Sequence, residues 1–217
     1  MDVTGNRNDS TPMVMVTREV RWFRHGAVPA HVLAWFSASG AVGAREERLD
    51  WYDPDAARAG LGVKDRDELS HDEKRRLTAQ PGVELAPGLV GCVEDWVKTS
   101  KPIGRSAGRS ERCHLPVHKV IITRRYEAEP ETGRPWTEAG CEVELASITV
   151  GAREAWTLCF ETFGPSHRVA EALRVGVDGL LRETPLPDDI TFSGDESCGY
   201  PEWLSRLSPV SPGGVEV

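Results

Sequence analysis

Hydrophobic and polar residues alternate with period two along much of this chain, as in strands whose two faces meet different surroundings. Residues 13–25 carry Val14, Val16, Val20, Trp22 and Phe23 among polar neighbours and predict a first strand. After Pro29, residues 30–39 place Val32, Leu33, Trp35 and Phe36 at helical spacing with Gly40 as a stop, predicting a short helix that plugs or flanks a sheet. Residues 45–52 and 61–67 mix charged and apolar side chains at period two and predict two strands, separated by a turn at Asp53-Pro54-Asp55. Residues 68–80, with His71-Asp72-Glu73-Lys74-Arg75-Arg76 in succession, show no apolar period and predict a solvated loop.

Residues 83–100 are apolar around Pro87-Gly88 and predict two strands joined by a turn, or one strand with a bulge. A Gly/Ser/Arg-rich connection over 103–111 leads to three strands, 118–127, 139–150 and 153–163, rich in Val, Ile, Thr and Trp. Val169, Leu173, Val177, Leu180 and Leu181 then repeat at helical spacing, with Ser166 as the expected N-cap. Beyond Thr184 the prolines multiply and acids face the single Arg206, predicting an irregular tail anchored by Tyr200-Pro201-Glu202-Trp203-Leu204. The expected organisation is one domain over 12–183 and an acidic, Pro-rich tail over 184–217, packed on the domain or partly free. The fold class is α+β, an antiparallel β-barrel with flanking helices and charged residues facing inward.

A formal charge of −8 argues against general nucleic-acid binding. No apolar run reaches the roughly 20 residues of a membrane helix and residues 1–11 are polar, so a cytoplasmic location with no membrane partner is expected. The five cysteines are scattered without a C-x-x-C pair, which suits small buried residues rather than a disulfide framework. His114 and His118 flank Pro116 and do not share a helix face, and Cys113 and His114 are neighbours pointing to opposite faces, so neither pair is expected to form a site. Trp22, Trp35, Trp96, Trp136, Trp156 and Trp203 are expected mainly in the core.

Strand arithmetic puts Glu19 with Arg21, Lys64 with Arg66, and Glu142 with Glu144 on common faces. Charged pairs in three separate strands, closed into a barrel, make a lumen of cations and carboxylates that must pair with each other or hold an ion or ligand. Carboxylates suit Mg²⁺ or Mn²⁺, while Lys and Arg suit phosphate oxygens.

Arg18-Glu19-Val20-Arg21-Trp22-Phe23, Leu61-Gly62-Val63-Lys64-Asp65-Arg66, Cys141-Glu142-Val143-Glu144-Leu145 and the run from Trp156 to Gly164 resemble, in order, segments of CYTH-like proteins. That superfamily, which includes adenylate cyclases and thiamine and inorganic triphosphatases, implies an eight-stranded antiparallel tunnel that binds triphosphate with a divalent metal. By this resemblance Glu19 stands at the first carboxylate of an E-x-E-x-K strand, whereas Arg21 and Phe23 replace its second carboxylate and its lysine. It also implies Lys64, Arg66 and Arg124 or Arg125, together with Arg21, as anion ligands. Glu19, Glu142, Glu144 and Glu161 are the implied metal ligands for Mg²⁺ or Mn²⁺, with Glu19 and Glu144 the candidate catalytic carboxylates. The expected function is to bind, and hydrolyse with metal, a triphosphorylated or otherwise polyanionic small molecule. The altered E-x-E-x-K strand leaves two alternatives open: a tunnel adapted to an organic substrate of a specialised biosynthetic pathway, or a non-catalytic interaction protein.

Overall fold

The computed structural model describes residues 13–38, 45–66, 70–103, 110–129 and 138–207. Its centre is a closed barrel of eight strands: β1 (Met13–His25), β2 (Arg45–Tyr52), β3 (Leu61–Arg66), β4 (Ser70–Ala86), β5 (Leu89–Pro102), β6 (Leu115–Glu127), β7 (Gly140–Val150) and β8 (Arg153–Phe163). They close in the order β1-β5-β4-β3-β2-β6-β7-β8, every neighbouring pair antiparallel. Closure leaves no strand with a wholly free edge, although β4 beyond Arg75 pairs with β5 alone and β2 meets β3 only over residues 50–52.

The helices are α1 (Ala30–Ser37), α2 (Pro54–Arg58), α3 (Val169–Glu183) and α4 (Tyr200–Leu207). Two apolar clusters divide the work of packing. The larger lies outside the barrel, where Val20, Trp22, Val143, Leu145, Leu158 and Phe160 meet Val32, Trp35 and Phe36 of α1 and Leu173, Val177 and Leu180 of α3. Gly176 allows this approach, because a Cβ there would come within 2.5 Å of Cys141 Sγ. The smaller cluster gathers Phe23, Tyr52, Val117, Ile148, Val150 and Ala155 from one end of the strands and covers them with Cys198, Trp203 and Leu204. Phe23 stacks on Trp203 at 4.5 Å and Tyr52 on Tyr200 at 5.6 Å, so α4 plugs that end of the barrel. Gly199 lets the chain enter beside Glu94 and Trp96, where a Cβ would lie 2.7 Å from each.

Four local expectations need correction. The polar run 68–80, expected as a loop, falls from Ser70 onward in the long strand β4. Its charges lie on both faces because the barrel interior is itself charged, and this erases the apolar alternation that marks a half-buried strand. Asp53-Pro54-Asp55 is not a bare turn but the start of α2, with the Asp53 carboxylate accepting from the Asp55 and Ala56 backbone N–H groups. Ser166 opens a 3₁₀ turn over Ser166–Arg168 instead of capping α3, whose N-cap residue is Arg168. Within the tail, Tyr200–Leu207 is helical rather than irregular, because its aromatic face fills the barrel end. Gly40, most of the 103–111 connection, and Trp136 lie outside the described residues.

Candidate functional site

Beyond the α4 plug the barrel encloses a cavity of about 320 Å³. Strand parity decides its lining: alternate residues of every strand point inward, bringing Glu19 and Arg21 from β1, Lys64 and Arg66 from β3, Glu142 and Glu144 from β7 and Glu161 from β8 to one wall or another. Arg48, Asp72, Lys74, Lys98 and Lys119 also line it, and Tyr52, Trp96 and Tyr200 supply aromatic surface.

The charges are segregated. On one side Asp50, 0 % exposed, is the focus of four cations. Lys119 Nζ donates to its Oδ2 at 2.6 Å and Lys64 Nζ to the same oxygen at 2.8 Å, while Arg48 Nε and Arg66 Nε stand 3.6 and 3.7 Å from Oδ1. Outer carboxylates partly balance the two guanidinium groups, Glu46 beside Arg48 at 2.8 Å and Asp72 beside Arg66 at 3.5 Å. The two ammonium groups share Asp50. Burial opposes the charge on Lys119 and, despite Asp50, lowers its pKa to about 8; the same burial, reinforced by Lys119 and the arginines, pulls Lys64 well down. Burial alone would raise the Asp50 carboxyl, but Lys64, Lys119 and Arg48 hold it well below the usual carboxylate range. Two lysines thus share one carboxylate in this pocket, and burial disfavours the charged form of both. Lys119 Nζ also lies 4.0 Å from the Tyr200 ring centroid and donates to Tyr52 Oη at 2.9 Å, so the plug helix forms an aromatic floor under the cations.

Carboxylates dominate the opposite wall. Glu94 pairs in register with Glu19, Glu19 with Glu161, and Glu161 with Glu142, making a row of four acids across β5, β1, β8 and β7. Directly opposed like charges are unfavourable unless a cation sits among them. Here Lys74 donates to Glu19 and, at 2.9 Å, to Glu161, while Arg76 holds Glu94 at 2.6 Å. Burial opposes the charge on both partners, yet Lys74 is raised by Glu161 and Glu19, and Glu161 is held low by Lys74. Glu144 accepts from Arg21 Nη2 at 3.3 Å. Glu142, by contrast, is raised by burial and by the nearby Glu144 and Glu161.

Of the anion ligands expected from the sequence, Arg21, Lys64 and Arg66 lie on the lumen wall. Arg124 does not: it is 1 % exposed on the outer side of β6, over the Phe36 ring at 4.9 Å and near Thr184 and Glu183. Arg125 stands outside the cavity lining, stacked over Phe163 at 4.0 Å and paired with Glu138 at 2.8 Å and Glu142 at 3.5 Å. The inward cation of β6 is Lys119, which sequence reasoning passed over, as it did Arg48, Asp50, Asp72, Lys74 and Lys98. A parity count along each strand holds the signal for Lys119, since 119, 121 and 123 share the inward face.

His118 pairs with Glu47 and His114 with the Arg112 carbonyl, so these two histidines form no joint site. Trp22, Trp35, Trp156 and Trp203 are core residues, and Trp96 lines the lumen. No helix among the described residues is long and apolar enough to cross a membrane. No family model matches the chain, and no curated protein matches it.

Proposed function

We propose that the barrel lumen binds a small polyanion of the triphosphate class. The observation that carries this reading is the convergence of Lys64, Lys119, Arg48 and Arg66 on the single carboxylate Asp50. Glu46 and Asp72 balance the two arginines, while Lys64 and Lys119 share Asp50, and an incoming anion with several oxygens would favour the charged form of both lysines. The Nε–H groups of Arg21, Arg48 and Arg66 are buried without a hydrogen-bond partner among the described residues and add donors on the same lumen. A volume of about 320 Å³ falls at the small end of the range for ligand pockets, roughly 300–1,000 Å³, and favours a compact ligand. The barrel architecture and these basic strands agree with the resemblance to CYTH-like proteins.

A second reading, metal-assisted hydrolysis of that anion, draws support from the crowding of Glu142 by Glu144 and Glu161. An all-oxygen donor set of this kind suits Mg²⁺ or Mn²⁺, which when bound neutralises phosphoryl oxygens and acidifies a water. Glu142, Glu144 and Glu161 are the residues that would hold the ion. Glu19 fits poorly, because Lys74 is already its hydrogen-bonded cation, and Glu161 would join the ion only by giving up its own bond to Lys74. Binding is therefore the primary proposal and hydrolysis the dependent one. Thermal-shift titration with tripolyphosphate, ATP and thiamine triphosphate, with and without Mg²⁺ or Mn²⁺, followed by phosphate-release assay, separates them. Stabilisation without metal supports binding, release only with metal supports hydrolysis, and no shift with any ligand rejects both.

A further inference from the structure

We infer that Asp65, His71 and Cys113 form a zinc-binding site on the outer wall of the barrel, separate from the lumen. Asp65 and His71 are register partners across β3 and β4, and both have outward parity, opposite to Lys64, Arg66, Asp72 and Lys74. The turn before β6 brings in Cys113, whose backbone N–H donates to the Ser110 carbonyl at 3.0 Å. One carboxylate oxygen, one ring nitrogen and one sulfur thus lie within 4.8 Å of one another.

Three features suit this trio to zinc. Its O, N and S donors are the set that zinc accepts, and a thiolate beside an imidazole disfavours the harder Mg²⁺ and Ca²⁺. Each of the two polar ligands is also oriented by a further group. Ser110 N–H donates to Asp65 Oδ2 at 2.7 Å, leaving Oδ1 toward the trio, and His71 Nε2 faces Glu73 Oε1 at 3.4 Å, which leaves Nδ1 as the inward nitrogen. A histidine that gives one nitrogen to a metal and the other to a carboxylate is the common outer-shell arrangement at such sites. Asp65 and Cys113 are buried, whereas the His71 side chain is 27 % exposed and provides the way in from solvent.

Adjustment to the ion is small. Asp65 Oδ1 and His71 Nδ1 are 2.6 Å apart, and a tetrahedron with arms of about 2.0 Å needs them about 3.3 Å apart. Cys113 coordinates as thiolate, so its S–H proton leaves to solvent as the S–Zn bond forms. The proton shared between His71 Nδ1 and Asp65 is lost as well, leaving a neutral ring protonated at Nε2 toward Glu73, and water takes the fourth position.

The test uses tag-free full-length protein, stripped with chelator and titrated with Co²⁺ and then Zn²⁺. One equivalent of Co²⁺ with a thiolate-to-cobalt charge-transfer band, bleached by Zn²⁺, is the expected result. Cys113→Ser should lose the band, Cys92→Ser should keep it, and His71→Gln should weaken binding at least tenfold. If Cys113→Ser does not fold, His71→Gln decides, with far-ultraviolet circular dichroism confirming its fold. Absence of stoichiometric Co²⁺ binding, a band that survives Cys113→Ser, or unchanged affinity in folded His71→Gln would show a hydrogen-bonded trio only and overturn the inference.

Discussion

The Lys119 ammonium lies 2.6 Å from Asp50 Oδ2, and neither residue is more than 2 % exposed. A buried pair of this kind is costly to break from one side, because the surviving charge loses its partner without regaining water. Asp50→Asn would leave Lys64, Lys119, Arg48 and Arg66 facing one another. Urea unfolding should show a loss of about 3–5 kcal/mol. Tripolyphosphate should stabilise this variant by a larger increment than it stabilises the wild type.

Lys119 also sets a pH dependence. Its folded pKa of about 8 lies below the ordinary lysine value of about 10.4, so between these limits the unfolded chain binds more protons and this group's contribution to stability rises with pH. Anion affinity runs the other way, since deprotonation removes a positive charge from the pocket. Calorimetric titration with tripolyphosphate should show binding weakening above about pH 8, and Lys119→Arg should flatten that decline.

Lys74 holds together the carboxylate row through Glu19 and Glu161. Lys74→Met should cost about 3–5 kcal/mol by exposing those acids to each other. Mn²⁺ should then raise the variant's melting temperature more than the wild type's. Equal metal shifts in both proteins would mean that these carboxylates do not attract a divalent ion when freed.

Arg124 serves as an internal control on the geometry. It packs on Phe36 and points away from the lumen, so Arg124→Met should reduce stability by about 1–3 kcal/mol and leave polyanion affinity unchanged. A tenfold loss of affinity would place Arg124 in the anion site after all.

The strands and helices most plainly legible in the sequence are those with an apolar face against the outer core, whereas β2 and β3 show charged and apolar residues mixed at period two. Val20 and Trp22 in β1, Val143 and Leu145 in β7 and Leu158 and Phe160 in β8 all lie against the helices there, and their alternation is plain. The same alternation correctly put Glu19, Arg21, Glu142 and Glu144 on the inner face. It failed for β4, where Lys74 faces a charged lumen and Arg75 faces solvent, so neither parity is apolar. It was ambiguous in β6, where Ile121 points inward and Ile122 outward, which allowed Arg124 to stand in for Lys119. The α4 plug was hidden for a different reason: its aromatic residues show that something must cover them, but only the closed barrel shows that they cover its end.

The central claim, that the cations around Asp50 form an anion site, is tested most directly by isothermal titration of tripolyphosphate into the wild type and into Lys64→Met, in chelated buffer. The account predicts metal-independent binding to the wild type and at least a tenfold loss in a folded Lys64→Met. Absence of binding to the wild type, or equal affinity in both proteins, would contradict it.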